Sequence, residues 1–562
     1  MEPSAHVDTF CRDHLPAPED WPALLTECPD TQCGSRLNCA SALLDDWVAR
    51  GQGERIALRW RGEDGPMRMS YAELAALTNR IAHVLLDDMG LVPGNRVLLR
   101  GPNNPMMAAV WLAAVKAGLV TVPTMPLLRA KELKQIVDKA QVRAALCDAR
   151  LAEDMHACAD PDSAYHCPGL AQVVLFNSAQ PDSLDGLAKG KPSTFTACDT
   201  AVDDVCLIAF TSGTTGQPKG CMHFHRDVLA MCDLFPRHVL KPSAADIFCG
   251  TPPLAFTFGL GGLLCFPLRA GASVVLSERL TPEGLLAEIQ DFGASIVFTA
   301  PTFYRQMAAL VGNYELGSLR KTVSAGEALP DTTRQLWKAA TGIEMIDGIG
   351  GTEMIHIFIS SPPEQVRPGT IGQVVPGYVA QVVDADMQPV PDGTPGRLAI
   401  KGPTGCRYLA DERQRRFVVQ GWNLPGDTFV RDADGYFRYV ARNDDMIVSA
   451  GYNIGAPEVE EALMQHPAVA ECGVTGAPDP ARGQIVQAYV VLKPGHVPNE
   501  ETASRLQDFV KQTIAPYKYP RRILFVPALT RTETGKLQRQ ALGSLAPCLV
   551  SPAADGGGTA PR

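Results

Sequence analysis

Apolar positions along this chain repeat first in short blocks and then with helical spacing. RVLLR, from Arg96 to Arg100, is a compact apolar run and predicts a strand. MMAAVWLAAVKAG predicts a helix, with Ala113 and Ala114 falling three and four residues beyond Val110 on one face. LVTVP predicts a second strand, a helical stretch begins at Arg129, and VRAALCD predicts a third strand. Strand and helix alternating in this order favour a parallel sheet with helices on its faces. The alternation recurs at GASVVL, LLAEIQDF, SIVFTAP and the segment through LRKTVSAGEALP. The stretch from Pro105 to Val122 is the most membrane-like, but it contains Lys116 and Gly118. A buried helix followed by a strand is therefore expected there.

Between Gly369 and Tyr439 the pattern changes to short strands separated by PG, DG and GD turns. This predicts an antiparallel, barrel-like subdomain over about 369–440. After RNDD, at Arg442 to Asp445, a smaller α+β unit is expected. PEVEEALMQ reads as a helix, AVAECGV and QIVQAYVVL as strands, and TASRLQDFVKQTI as a second helix. Leu506, Phe509, Val510 and Ile514 share one face of that last helix, and Pro516 stops it. The resulting fold class is α/β: an N-terminal domain over 1–442 of layered α/β sheets with a small β-barrel-like part, then a mobile α+β domain over 443–547. The tail 548–562, SPAADGGGTAPR at its end, reads as disordered.

Composition narrows the partners. The 562 residues are 46% hydrophobic and 20% charged, ordinary for a soluble globular protein, with a formal net charge of −10. That charge disfavours nucleic acid or an anionic membrane as a partner. The opening MEPSAHVDTF has no basic segment followed by an apolar run, so no secretory signal is read. Sixteen cysteines include no C-x-x-C pair, and Cys28, Cys33 and Cys39 lack histidines at zinc-finger spacing. They read as buried thiols in a reducing compartment, which predicts a cytoplasmic protein without a structural metal. The oligomeric state is not legible, and a homodimer is the working expectation.

TSGTTGQPKG, from Thr211 to Gly220, follows the apolar run DVCLIAF. A strand entering a glycine-rich loop aims successive backbone N–H groups at an anion. A kinase-type P-loop needs a lysine directly after the second glycine and a hydroxyl residue next. Here Gln217 and Pro218 intervene before Lys219, and Gly220 takes the hydroxyl position. The P-loop reading fails, leaving a phosphate loop of another kind or a structural turn.

Read together with GIGGTE (348–353), PGD (425–427), ARNDD (441–445), SAGYNI (449–454) and TETGK (532–536), the loop resembles the adenylate-forming superfamily. The ordered match runs from about residue 40 to 545. Within it, DGIGGTEMIHIF and PLAFTFGLGG resemble benzoate-type CoA ligases, and SAHVDTFCRDHLPAPEDWP resembles 2-aminobenzoate–CoA ligases.

The resemblance implies an enzyme that activates an aromatic acid, benzoate or 2-aminobenzoate, with ATP and Mg²⁺. Coenzyme A would then take the acyl group and release AMP. It implies that Thr211, Ser212, Gly213, Thr214, Thr215 and Lys219 cover the outgoing phosphates. Thr352 would contact phosphate, Glu353 would hold Mg²⁺, and Lys536 would bridge the acid and the α-phosphate. Asp427 and Arg442 would take the ribose; Gly326, Glu327, Gly348, Ile349 and Gly350 would line adenine. Ile349 stands where many members carry an aromatic, so the base must pack on aliphatic groups or elsewhere. Asp444 matches the hinge, and Gly451 the pantetheine tunnel.

For the acid pocket the candidates are Phe256, Thr257, Phe258, Gly259, Tyr304 and His356. On a strand, alternating aromatics are as readily core as ligand contacts, and a buried histidine as readily structural. Two alternatives stay open: a related enzyme for a different acid or a carrier protein, and a non-catalytic nucleotide-binding relative.

Overall fold

The computed structural model describes residues 1–25, 29–31, 33–211, 218–278, 281–442, 445–449, 452–479, 482–531, 537–546 and 549–550. Among these, four β-sheets organise the chain. The first has the spatial order Gln172–Phe176, Ala144–Asp148, Arg96–Arg100, Val120–Thr124, Val205–Thr211 and Lys219–Phe224. Its neighbours are parallel until the last pair, where Val205–Thr211 and Lys219–Phe224 form an antiparallel hairpin around the glycine-rich loop.

The second sheet has nine strands. Its centre is a parallel block in the order Met345–Gly350, Lys321–Ser324, Ile296–Thr299, Ile247–Gly250, Ser273–Val275 and Ile56–Gly62. Antiparallel strands close both edges: Ile357–Ser360 and Gln373–Val374 on one side, Gly65–Ser70 on the other. The apolar runs that predicted these strands are nearly continuous because both faces are covered.

The helix Pro105–Lys116 starts where the Asn104 side chain accepts the Met107 N–H, with Pro105 in the first turn. Almost all of it is buried, as expected for the membrane-like stretch. The buried Lys116 ammonium is satisfied by Asp45 at 2.7 Å and by Asn79 Oδ1 at 2.5 Å. An unpaired buried charge would cost several kcal/mol, roughly, which these partners avoid. No described helix is long and apolar enough to cross a membrane.

The third sheet, antiparallel throughout, collects Val379–Val383, Gly396–Lys401, Val418–Val419, Trp422–Asn423, Asp427–Arg431 and Phe437–Arg442. The turn-rich grammar of this region is thus realised, although Gln373–Val374 joins the second sheet instead. The fourth sheet carries Met446–Ser449, Tyr452–Gly455, Val469–Asp479, Gly483–Leu492, Arg522–Phe525 and Leu549–Val550. Helices Ala456–Met464 and Glu500–Thr513 bury Val459, Leu463, Leu506 and Val510 against it.

One consequence of the second sheet matters for function. Ile247–Gly250, Ile296–Thr299, Lys321–Ser324 and Met345–Gly350 run parallel, so the segments after them gather at one edge. In open α/β sheets, the crevice outside the carboxyl ends of parallel strands is where ligands bind. PLAFTFGLGG, SAGEALP and GIGGTE all emerge there.

Candidate active site

The hairpin Val205–Thr211/Lys219–Phe224 pairs Thr211 with Lys219 at its mouth. Ser212, Gly213, Thr214 and Thr215 lie outside the described residues. A second segment docks on the hairpin: Met222 N–H donates to Arg407 O and Leu409 N–H to Gly220 O, each at 2.8 Å. Tyr408, held between them, is buried. Its hydroxyl accepts from Lys219 Nζ at 3.1 Å and donates to Glu353 Oε1 at 2.5 Å. The ammonium also sits 5.0 Å from the centre of the Tyr408 ring.

Glu353 lies in the short 3₁₀ turn Thr352–Met354 that follows strand Met345–Gly350. The turn is held from behind by His223, whose Nε2 lies 2.8 Å from the Thr352 carbonyl oxygen. Burial opposes a charge on His223, but Cys221 and Asp227 push its pKa up to about 10, so Nε2–H donates. Asp227 is paired in turn with the buried Arg407 at 2.9 Å, which holds its carboxyl well below the usual range despite burial. Two sheets are therefore locked together behind Thr352 by a charged, hydrogen-bonded network.

Ile355, next in the chain, has φ +67°. A β-branched residue in the left-handed region carries strain of about 1–3 kcal/mol. It turns the chain so that Ile357–Ser360 returns antiparallel along Met345–Gly350. Nothing in an isoleucine signals this conformation.

In the SAGEALP segment, Gly326 has φ +90°, a conformation that glycine adopts freely. Glu327 accepts from Thr302 Oγ1 at 2.9 Å. Gly348, Ile349 and Gly350 form the end of the neighbouring strand, with Ile349 packed against the main core. Sequence reasoning missed Asp347, just before them. Its carboxyl is buried, and desolvation pushes its pKa up to about 7 against the opposing pull of Arg334. In the third sheet Asp427 and Arg442 are direct antiparallel partners, their side chains 3.4 Å apart.

PLAFTFGLGG is helical rather than a strand: Thr257–Leu260 runs on through Gly261–Cys265 into Phe266–Ala270. Phe256 flanks the helix start, and Thr257 and Gly259 are buried in it. Phe258, Phe235 and Phe266 surround His356, with ring centroids 5.7, 5.7 and 4.6 Å away. Burial depresses the His356 pKa to about 3, so the ring is neutral. Tyr304 stands apart from this group. Its hydroxyl lies 3.0 Å from the carbonyl oxygens of Val297 and Val323, and its ring packs on Trp337 in a different core cluster.

Asp444, Gly451 and Lys536 lie outside the described residues. The small domain touches the large one through Glu461, which accepts the Asp331 N–H at 3.1 Å, and through Arg531, 4.0 Å from Glu327. Tyr408 and His223 were also not singled out from sequence. Alternation in KGCMHF does place Lys219, Cys221 and His223 on one strand face, which is a usable signal for His223.

Residues 45–408 match the family model described as AMP-binding enzyme, and 458–536 match the AMP-binding enzyme C-terminal domain. The chain belongs to the AMP-binding enzyme family. A benzoate–CoA ligase of Thauera aromatica is 34% identical over 522 residues, covering 92% of this chain and 97% of the relative. A solved anthranilate CoA ligase, AuaEII, in complex with anthranoyl-AMP superposes with TM-score 0.84 at 32% identity. That match covers 92% of this chain and 98% of AuaEII. A benzoate CoA ligase from Burkholderia xenovorans gives TM-score 0.80 at 30% identity, covering 90% and 99% of the two chains. These relatives place the family member in the AMP-forming acid–thiol ligase class, whose adenylate-forming enzymes use ATP.

Proposed function

We propose that this enzyme activates benzoate or 2-aminobenzoate as the acyl-AMP and then transfers the acyl group to coenzyme A. The observation that carries the reading is the convergence at one crevice of Lys219, Glu353 and Thr352 with an aromatic enclosure around His356. Asp427 and Arg442 pair across neighbouring strands of the third sheet. The similar proteins named as benzoate and anthranilate CoA ligases support the aromatic choice.

In the first half-reaction a carboxylate oxygen of the acid attacks the α-phosphorus and pyrophosphate leaves. Two anions must approach, so cationic groups are what the step demands. Lys219 is placed to meet the departing phosphates and Lys536 is assigned to the reacting oxygens. The hard carboxylate of Glu353, next to a glycine-rich turn, fits Mg²⁺, which would neutralise phosphate charge when bound. In the second half-reaction the thiol sulfur attacks the acyl carbon and AMP leaves. The Asp427 carboxylate has two oxygens for the two ribose hydroxyls, with Arg442 beside it. Phe258, Phe235 and Phe266 suit a flat ring better than a long alkyl chain.

Thioester formation with benzoate, 2-aminobenzoate, 4-hydroxybenzoate, octanoate and an amino acid under identical conditions tests the reading. An aromatic acid should give the highest kcat/KM. Octanoate in that position would overturn it.

A further inference from the structure

Tyr408 sits between two charged groups that the proposed function gives separate tasks. Lys219 Nζ donates to its hydroxyl at 3.1 Å, and that hydroxyl donates to Glu353 Oε1 at 2.5 Å. The hydroxyl therefore accepts from the cation and donates to the anion at once, the polarity in which each bond strengthens the other.

We infer that Tyr408 is a positioning residue that aims Glu353 at the metal and holds Lys219 ready for the nucleotide phosphates. The inference rests on the reading of Lys219 and Glu353 given above. A carboxylate with one oxygen occupied by a phenol presents the other in a fixed direction. A lysine has four rotatable bonds and loses rotamer entropy when fixed. Docking it on a phenol and its ring settles part of that cost before the nucleotide arrives. The backbone makes the placement firm: residues 407 and 409 bond to strand Lys219–Phe224 on either side of the ring. Cys221 also bridges to Tyr408.

The role separates from simple packing because it acts through Glu353 and the metal. Tyr408→Phe keeps the ring, the apolar contacts and the backbone pairing, and removes only the hydroxyl. Isothermal titration of the full-length enzyme with ATP should give an affinity about 10-fold weaker than wild type in excess Mg²⁺. In EDTA the difference should fall to about 3-fold or less. The Mg²⁺ concentration for half-maximal pyrophosphate exchange should rise about 10-fold, with kcat at saturating Mg²⁺·ATP reduced about 3-fold or less. In Tyr408→Phe/Glu353→Gln, Mg²⁺·ATP binding should lie within about 3-fold of Glu353→Gln alone, the remainder being the hydroxyl's hold on Lys219.

Wild-type Mg²⁺ dependence in a folded Tyr408→Phe enzyme, with Glu353→Gln impaired, would overturn the inference and leave the site reading intact. Additive losses in the double variant would overturn it too. If Glu353→Gln and Lys219→Ala both bind Mg²⁺·ATP like wild type, it is the site reading that fails. Should Tyr408→Phe lose its folded-state melting transition, Tyr408→His carries the test. A ring N–H retains the donor, and Mg²⁺ dependence within about 3-fold of wild type is required of the folded variant.

Discussion

His223 lies in a strand of the first sheet and Thr352 in the turn after a strand of the second, yet the imidazole Nε2 donates to the Thr352 carbonyl at 2.8 Å. The bond fixes the turn that carries Glu353 to the hairpin that carries Lys219. The bond therefore ties the positions of Glu353 and Lys219 to each other.

Replacing His223 with Ala should loosen this joint. It leaves the Thr352 carbonyl without its donor and Asp227 with Arg407 as its remaining charged partner in the network. Hydrogen bonds to charged groups contribute about 1.5–3 kcal/mol, so unfolding should become easier by that order. Pyrophosphate exchange should fall about 10- to 100-fold. Urea unfolding and exchange rates measured on the same preparation check both, and unchanged exchange in a destabilised variant would remove the positioning role.

Asp347 provides a pH-dependent prediction. Its carboxyl titrates near 7 in the folded protein against about 3.9 in an unfolded chain. A raised folded pKa means stability that is fully present below the unfolded value and lost as pH rises through about 7. The shift corresponds to at most about 4 kcal/mol. Asp347→Asn keeps the shape without the charge, so it should melt higher than wild type at pH 8 and no higher at pH 4. Parallel pH–melting curves for the two proteins would discredit the buried carboxylate as the cause.

Much of this arrangement was legible in the sequence, and the gaps have physical reasons. The strands Arg96–Arg100 and Ile296–Thr299 announce themselves because both faces of their sheets are buried, giving unbroken apolar runs. The GIGGTE turn was found because its glycines and its acid are a chemical pattern. Phe256 and Phe258 misled, since two aromatics one residue apart look like strand alternation. They flank a helix start whose geometry depends on Gly261 and Gly262 packing against His356 and Phe298. Tyr408 escaped notice because its meaning is purely tertiary: it pairs with residues far away in sequence, and an isolated tyrosine after an arginine carries no local signal.

Gly261 offers a direct probe of the aromatic enclosure. A Cβ at this position would lie 2.5 Å from His356 Cδ2 and 2.7 Å from its Nε2. Gly261→Ala must therefore push the imidazole, which is boxed in by Phe235, Phe258 and Phe266. Overpacking of this kind costs about 1–3 kcal/mol. KM for the aromatic acid should rise at least about 10-fold while ATP affinity stays within about 2-fold. An equal loss for both substrates would mean that the enclosure is not the acid pocket.

Asp427 and Arg442 separate nucleotide binding from acid binding in the opposite sense. Asp427→Asn removes the charge but keeps the size of a nearly buried side chain whose partner Arg442 is half exposed. On the proposed ribose contact, charge-assisted bonds are weakened and KM for ATP should rise about 10- to 100-fold. KM for the acid should change little. Steady-state kinetics with each substrate varied in turn distinguishes this from general damage, which would raise both.

The two half-reactions place different demands on the small domain. In this conformation Glu461 caps the Asp331 N–H, Arg531 approaches Glu327 and Arg305 donates to the Ala470 carbonyl, so these contacts help seat the small domain on the large one. A rotation of the small domain about residue 444 would break these contacts and exchange what it presents to the crevice. Lys536→Ala should then nearly abolish adenylation, yet leave conversion of presynthesised acyl-AMP to the thioester within about 3-fold of wild type. Asp444→Pro, which restricts the backbone at the proposed pivot, should do the reverse. Measuring the two half-reactions separately on both variants gives four rates. If each variant lost both half-reactions equally, one fixed arrangement would serve both steps and the pivot would have no role. Opposite patterns in the two variants require that the small domain occupy two positions, with Lys536 needed in one of them alone.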